Sequence, residues 1–435
     1  MKIGIRREDK NEWEARTPLI PEHIAELLRN PGLDFIVQPS SIRTYSDDDY
    51  TRSGAVIQED LSGCDIVFGV KEFPIQFLQP SKTYVFFSHT IKGQSYNIAM
   101  LKRLVELKDT LIDYEKIVDD NGRRLVFFGR FAGIAGMIDT FWAFGQRLQS
   151  EGIQTSFAEI RQARFYTNLT DTKSKLKSIG EEIVRNGLPH LTHPLIFGVT
   201  GYGNVSRGAQ EILDLFPFIE IQPDEVASLW KNPNFSRNHL YKVVFKEEHL
   251  VKPTYSDAAF DLQDYYKHPE KYESKFDDYL PYLTIIVNAI YWDKMYPRLV
   301  TKKYLKTAEI ENRALPLKVI GDITCDVEGS IECNLEDSNP GNPVYVYEPV
   351  SQTIRYGYTG KGVVVLAVDN LPCELPKESS AVFSNVLKEF IPSLMKTDFS
   401  VSYEALRLSP ELKRATILLN GEFTPEFKYM EKFVV

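Results

Sequence analysis

The chain is poor in cysteine, has no excess of positive charge, and contains no internal repeat or low-complexity tract. Its four cysteines, Cys64, Cys325, Cys333 and Cys373, form no CxxC pair. So few thiols in 435 residues do not make a disulfide framework, and a reduced, cytoplasmic compartment is expected. Lys plus Arg number 51 and Asp plus Glu 60, a formal charge of 51 − 60 = −9. A mildly acidic chain lacks the broad basic face that nucleic acid requires, so no nucleic-acid partner is expected. The seven histidines are scattered; the closest pair, His190 and His193, has no neighbouring ligands and reads as flanking a strand, so no metal is expected. The opening Met1-Lys2-Ile3-Gly4-Ile5-Arg6-Arg7 is charged at once and lacks an apolar signal stretch, which predicts a chain that is not exported.

What remains is ordinary globular material, 43% hydrophobic and 26% charged. Its length suggests roughly two to three domains with sizeable cores. The Phe-, Ala- and Gly-rich stretch Leu125–Gly145 carries Arg130 and Asp139; it reads as a buried strand followed by a buried helix, and not as a membrane span. Short apolar runs alternate with helical patterns along most of the chain, which predicts an α/β fold. Strands are expected at Lys2–Ile5, Phe35–Gln38, Ile66–Val70, Tyr84–Phe87, Leu111–Tyr114 and Leu125–Phe128, the last two joined by a hairpin turn at Asp119–Gly122. Further strands are expected at Leu195–Thr200, Phe218–Gln222, Leu283–Ile290, Lys318–Ile323 and Val363–Val368. Helices are expected at Pro21–Leu28, at Leu101–Leu107, from Ala135 to Ser150, and near Ser379–Met395 and Tyr403–Leu408. The Tyr-, Asp- and Lys-dense stretch Pro253–Pro281 reads as a surface insertion.

The sharpest local signal is the run from Leu195 into Gly201-Tyr202-Gly203-Asn204-Val205. A strand, a glycine turn and a helix in this order suit a dinucleotide. The first glycine permits the turn, the second lets backbone N–H groups approach a pyrophosphate, and the helix N-terminus adds partial positive charge. The third glycine of the pattern is replaced by Ser206, with Gly208 two residues on. An acid about twenty residues later would bond the ribose 2′-hydroxyl of NAD, and Asp224 is the candidate.

The first 130 residues place charged groups just past apolar runs: Arg16 after Glu14, Lys71-Glu72 after Ile66–Val70, His89 and Lys92 after Tyr84–Phe87, and Glu115 after Leu111–Tyr114. Residues just past strand ends face the ligand crevice of an α/β sheet. Two acids, three cations and an imidazole there suit a substrate with several carboxylates and a reaction with proton transfers.

These residues resemble the lysine–ketoglutarate reductases, the lysine-forming saccharopine dehydrogenases of the wider alanine dehydrogenase and transhydrogenase superfamily. The resemblance is carried by Glu14-Ala15-Arg16-Thr17-Pro18, Ser88-His89-Thr90-Ile91-Lys92, Asp113-Tyr114-Glu115, Asn288-Ala289-Ile290-Tyr291-Trp292 and Val368-Asp369-Asn370-Leu371-Pro372. It implies that L-lysine and 2-oxoglutarate are joined to saccharopine, with Lys71 and His89 as the acid–base pair. Arg16 and Lys92 would bind carboxylates, Glu72 and Glu115 would tune the pair, and Asp369 would be a late acid returning to the site. It implies two Rossmann-like domains about a cleft, a catalytic one (1–135 plus 375–435) completed by the C-terminus and a dinucleotide-binding one (136–374). A separate saccharopine-consuming dehydrogenase is an expected partner. Relatives of the animal type imply NADP, whereas Asp224 favours NAD. The rival expectations are an alanine dehydrogenase-like enzyme using ammonia and a dinucleotide-binding regulator without catalysis.

Overall fold

A computed structural model describes residues 1–188, 191–255 and 258–434; His190 lies outside them. The chain divides into two compact units, Met1–Phe128 with Pro376–Val435, and Gly129–Leu375. The expected limits were 135/136 and 374/375. The first shifts because the helix expected to start after Ala135 begins at Gly129 and runs to Ser150 within the second unit.

The first unit opens with six short strands: β1 (Lys2–Ile5), β2 (Asp34–Val37), β3 (Val56–Ile57), β4 (Ile66–Phe68), β5 (Thr83–Phe86) and β6 (Thr110–Asp113). All pair in parallel, in the order β3-β2-β1-β4-β5-β6. Every residue of β4, β5 and β6 is buried, which explains their apolar runs without alternation: both faces of a parallel sheet are covered. The helix Pro21–Leu27 starts on proline, whose missing N–H costs nothing at that position. The expected strand Leu125–Phe128 does not form. A single bridge, Val118 to Arg124, is all that follows the Asp119–Gly122 turn.

The second unit holds β7 (Ile196–Thr200), β8 (Phe218–Glu220), β9 (Leu240–Phe245), the small pair β10 (Val251–Pro253) and β11 (Tyr272–Ser274), then β12 (Ile285–Asn288), β13 (Val319–Asp322), β14 (Val344–Glu348), β15 (Thr353–Tyr356) and β16 (Val363–Leu366). Its sheet runs β15-β14-β16-β13-β12-β7-β9-β8. The strand beside β7 is therefore β9, while β8 lies at the edge. The helix 129–150 is apolar on nearly all sides because it is buried against this sheet. It also crosses the helix Asn204–Leu213 at a distance only glycine allows: a Cβ on Gly133 would lie 1.9 Å from the Val205 carbonyl oxygen, and one on Gly208 2.0 Å from that of Arg130. Gly208 thus does the close packing expected of the glycine replaced by Ser206. Among the described residues no helix is long and apolar enough to cross a membrane.

The chain then re-enters the first sheet. Strand β17 (Thr416–Leu419) pairs antiparallel with β6, and β18 (Glu422–Phe423) with β17. The expected helix at Tyr403–Leu408 is a set of turns; the helix there is Pro410–Ala415.

Candidate functional site

In the first unit the expected residues Lys71, Glu72 and His89 lie where β4 and β5 end, beside the end of β6. Past β4, the Val70 carbonyl accepts the N–H of Phe87 at 3.1 Å, so the chains leaving β4 and β5 stay side by side. Lys71 and Glu72 follow on one, Ser88 and His89 on the other. Asp113, at the end of β6, accepts the Ser88 N–H at 3.0 Å and the Ser88 hydroxyl, fixing the Ser88-His89-Thr90 turn from the third strand. Burial raises the pKa of Asp113.

His89 sits at φ +47°, the left-handed region that costs a residue with a Cβ about 1–3 kcal/mol. Its Nδ1 lies 2.6 Å from Glu72 Oε1. Asn97 donates to the same oxygen at 3.3 Å and to the Ser88 carbonyl at 2.9 Å. Lys10 Nζ is 3.0 Å from Glu72 Oε2. Burial works to raise the Glu72 pKa, but the hydrogen bond and charge of His89, with Lys10, outweigh it and hold the carboxyl well below its usual range. The imidazole is thus strained, oriented by a carboxylate and one-third exposed.

The structure places the other expected residues as follows. Lys71 is half-buried beside Glu72, and its N–H donates to Glu8 at 3.0 Å. Arg16 is 3% exposed; Nε and Nη2 donate to Glu14 at 2.7 and 2.6 Å, and its guanidinium lies 4.2 Å from the centre of the Phe128 ring. It is a buried ion pair in aromatic surroundings, and Glu14 takes one face of the fork expected for a substrate carboxylate. Lys92 is exposed on the turn after His89. Glu115 pairs with Arg124. Asp369 belongs to the second unit, exposed just past β16. Among the described residues no cluster of His, Cys, Asp and Glu could hold a metal ion.

In the second unit, Gly201 has φ +85°, and a Cβ there would lie 2.9 Å from the Ala289 carbonyl oxygen, so glycine is required. Gly203 caps the helix 204–213, and a Cβ on it would point into open space. Backbone N–H groups of Asn204 and Val205 open that helix without partners in its own ladder. This is the shape a pyrophosphate needs. Asp224 is not beside it. The strand leading to Asp224, β8, is separated from β7 by β9, and Asp224 is exposed on a short turn of helix. The acid beside the turn is Glu247: Thr200 pairs with Phe245, Gly201 N–H donates to the Phe245 carbonyl at 2.9 Å, and Glu247 follows two residues later. Its Oε1 accepts Tyr266 at 2.7 Å and Tyr202 at 3.4 Å. A cavity of about 400 Å³ lies against Gly201, Gly203 and Glu247, with Tyr265, Tyr266 and Trp292 in its walls. Two of these aromatics, Tyr265 and Tyr266, come from the Tyr-rich stretch expected to be a surface insertion.

Glu8, Asn97, Glu247 and Tyr266 escaped the sequence reading. Glu247 stands 46 residues after Gly201, not about twenty, because the chain visits the sheet edge first. Its one local signal is an acid two residues past the end of the largely apolar run of β9.

Comparison with known proteins agrees with this architecture. Family models for the N-terminal and C-terminal domains of alanine dehydrogenase/PNT match residues 4–135 and 261–426. An alpha-aminoadipic semialdehyde synthase of Arabidopsis thaliana is 37% identical over 99% of the chain, which spans only 41% of that relative. A saccharopine dehydrogenase [NAD(+), L-lysine-forming] of Yarrowia lipolytica is 27% identical, with 91% of this chain and 92% of the relative aligned. A solved L-alanine dehydrogenase has the same fold, with a TM-score of 0.64 at 15% identity over the full length of both chains. With both domain models matched and the fold of both units accounted for, the chain belongs to the alanine dehydrogenase/PNT superfamily of oxidoreductases.

Proposed function

We propose that the chain reductively condenses L-lysine with 2-oxoglutarate to give saccharopine, using NAD(H). The observation that carries this is the strained His89 locked to Glu72 where β4 and β5 end, with Lys71 in the adjoining position. Similarity to aminoadipic semialdehyde synthases and saccharopine dehydrogenases supports the choice of substrates.

The lysine ε-amine attacks a ketone only when neutral, yet its reference pKa is about 10.4. A base must take its proton, and an acid must then protonate the departing hydroxyl of the carbinolamine. His89 is the proton carrier. The Glu72 carboxylate, 2.6 Å from Nδ1, holds the ring in one orientation for the transfer. Lys71 is the second group of the pair, and Lys92 and Arg16 supply positive charge for substrate carboxylates. A nicotinamide dinucleotide supplies the hydride that reduces the imine when bound. Gly201, Gly203, Asn204 and Val205 would hold its pyrophosphate, and Glu247 its adenosine ribose, which favours NAD(H) over the 2′-phosphorylated form.

The test is oxidation of NADH and of NADPH with lysine plus 2-oxoglutarate, against pyruvate plus ammonium. Turnover only with the second pair would make the chain an alanine dehydrogenase-like enzyme. Cofactor binding without turnover on either pair would make it a regulator.

A further inference from the structure

The Lys71–Glu72 turn has a second support. Strand β1 ends at Ile5, and Arg6 makes one more sheet bond, its N–H donating to the Phe68 carbonyl at 2.9 Å. Beyond that point the N–H groups of Val70 and Lys71, on the chain leaving β4, go to a side chain. Glu8 takes over. Its Oε1 accepts the Val70 N–H at 2.6 Å and its Oε2 accepts the Lys71 N–H at 3.0 Å. One carboxylate therefore extends the sheet by two rungs, and it is 5% exposed. From the opposite side Val70 is held by Phe87, two residues before His89.

We propose that Glu8 is a positioning residue for the acid–base pair: as a carboxylate it fixes the backbone of Val70 and Lys71 and thereby aims Lys71 and Glu72 at His89. This rests on the catalytic reading of Lys71 and His89 given above. The charged and titratable groups around Glu8 are Arg6 on the same segment, Glu14 on the loop that carries Arg16, and Tyr114 just past β6. Burial first, and then the charge of Glu14, push the Glu8 pKa up to about 7. Protonation converts one of the two acceptor oxygens into a donor facing an N–H, and one rung of the extension is lost.

The test compares Glu8→Gln with the wild-type chain by amide hydrogen exchange and by steady-state kinetics. The variant keeps the shape but turns an amide NH₂ toward one of the two N–H groups. Exchange in the segment 66–73 is expected to quicken while 196–201 is unchanged. In the same variant kcat is expected to fall about 10- to 100-fold, the scale of a small misplacement of catalytic groups, with KM for NADH unchanged. A purely structural loss would quicken both segments. Unaltered exchange in 66–73, or an unaltered kcat, overturns the assignment. In the wild-type chain itself, protection of Val70 and Lys71, corrected for intrinsic exchange, is expected to be lower at pH 6 than at pH 8; equal protection overturns it even if the variant does not fold. Exchange does not depend on turnover, so a wild-type chain inert toward lysine and 2-oxoglutarate would refute the reaction and not the tether.

Discussion

Replacing Glu247 by Gln tests the proposed dinucleotide site most directly. The change keeps size and shape, removes one negative charge, and leaves an amide oxygen that still accepts Tyr266 at 2.7 Å. A hydrogen bond to a charged acceptor contributes about 1.5–3 kcal/mol and a neutral one about 0.5–1.5. The difference, about 1–1.5 kcal/mol, weakens NADH binding about 5- to 12-fold. For NADPH the effect has the opposite sign. At ~4 Å and an effective dielectric near ~20, each unit of charge on a 2′-phosphate meets about 4 kcal/mol of repulsion from the carboxylate. The two phenols on Oε1 and the open mouth of the cavity reduce this, so a gain of roughly tenfold for NADPH is a conservative expectation. The ratio of the two Kd values should then move by about 10²-fold, read by quenching of Trp292 fluorescence during titration with each cofactor. A ratio that moves less than about twofold would refute the placement of the ribose at Glu247. Asp224→Asn, made in parallel, should leave the ratio untouched, since that side chain lies one strand farther out.

Four further outcomes follow from the geometry. His89→Gln should lower kcat by about 10²–10⁴ while NADH affinity is retained; a near-wild-type rate would remove the imidazole from the mechanism. Arg16→Ala leaves the buried Glu14 without its two-pronged partner, so denaturant unfolding should show a loss of about 3–5 kcal/mol beside any rise in KM for 2-oxoglutarate. Gly208→Ala forces a Cβ to 2.0 Å from the Arg130 carbonyl oxygen and should lower Tm by about 5–10 °C, read by calorimetry. The fourth concerns Asp139 and Glu374, two neighbouring buried carboxyls whose pKa values are raised by burial, that of Asp139 to about 7. A raised folded-state pKa gives stability that is present at acid pH and lost as pH climbs through about 7. Glu374→Gln removes one of the two ionisations. Its Tm advantage over wild type should therefore grow from pH 5.5 to pH 8.5, and parallel pH curves would count against it.

Strands buried on both faces announce themselves, and β4, β7, β12, β13 and β16 appear in the sequence as short apolar runs close to their final limits. Leu125–Phe128 carries the same apolar signal without a strand. Leu125, Phe128 and Phe87 instead pack into the core of the first unit, where Phe128 stacks on Phe383 at 4.5 Å. Periodicity reports burial, and a buried irregular segment looks like a strand. The distance of Asp224 from the glycine turn has a different origin. Spacing from the glycine turn assumes that the next strand lies beside β7, and strand order is decided by tertiary packing that no local window contains. The Glu72–His89 pair was legible as two residues after two apolar runs, because parallel strands end at the same edge. Glu8 was not, since its role depends on the irregular segment past β1 folding its side chain back onto the chain that leaves β4.

The discontinuity of the first unit sets an order of assembly on the ribosome. Residues 129–375 form an unbroken unit, whereas β6 waits for β17, some 306 residues later in the chain. At roughly 5–20 residues per second that wait lasts about 15–60 s. Throughout it the apolar rim of Thr110–Asp113 offers unpaired amides and carbonyls to any neighbouring nascent chain. Shelter for that rim during synthesis is thus a requirement written into the connectivity, independent of how stable the finished molecule becomes.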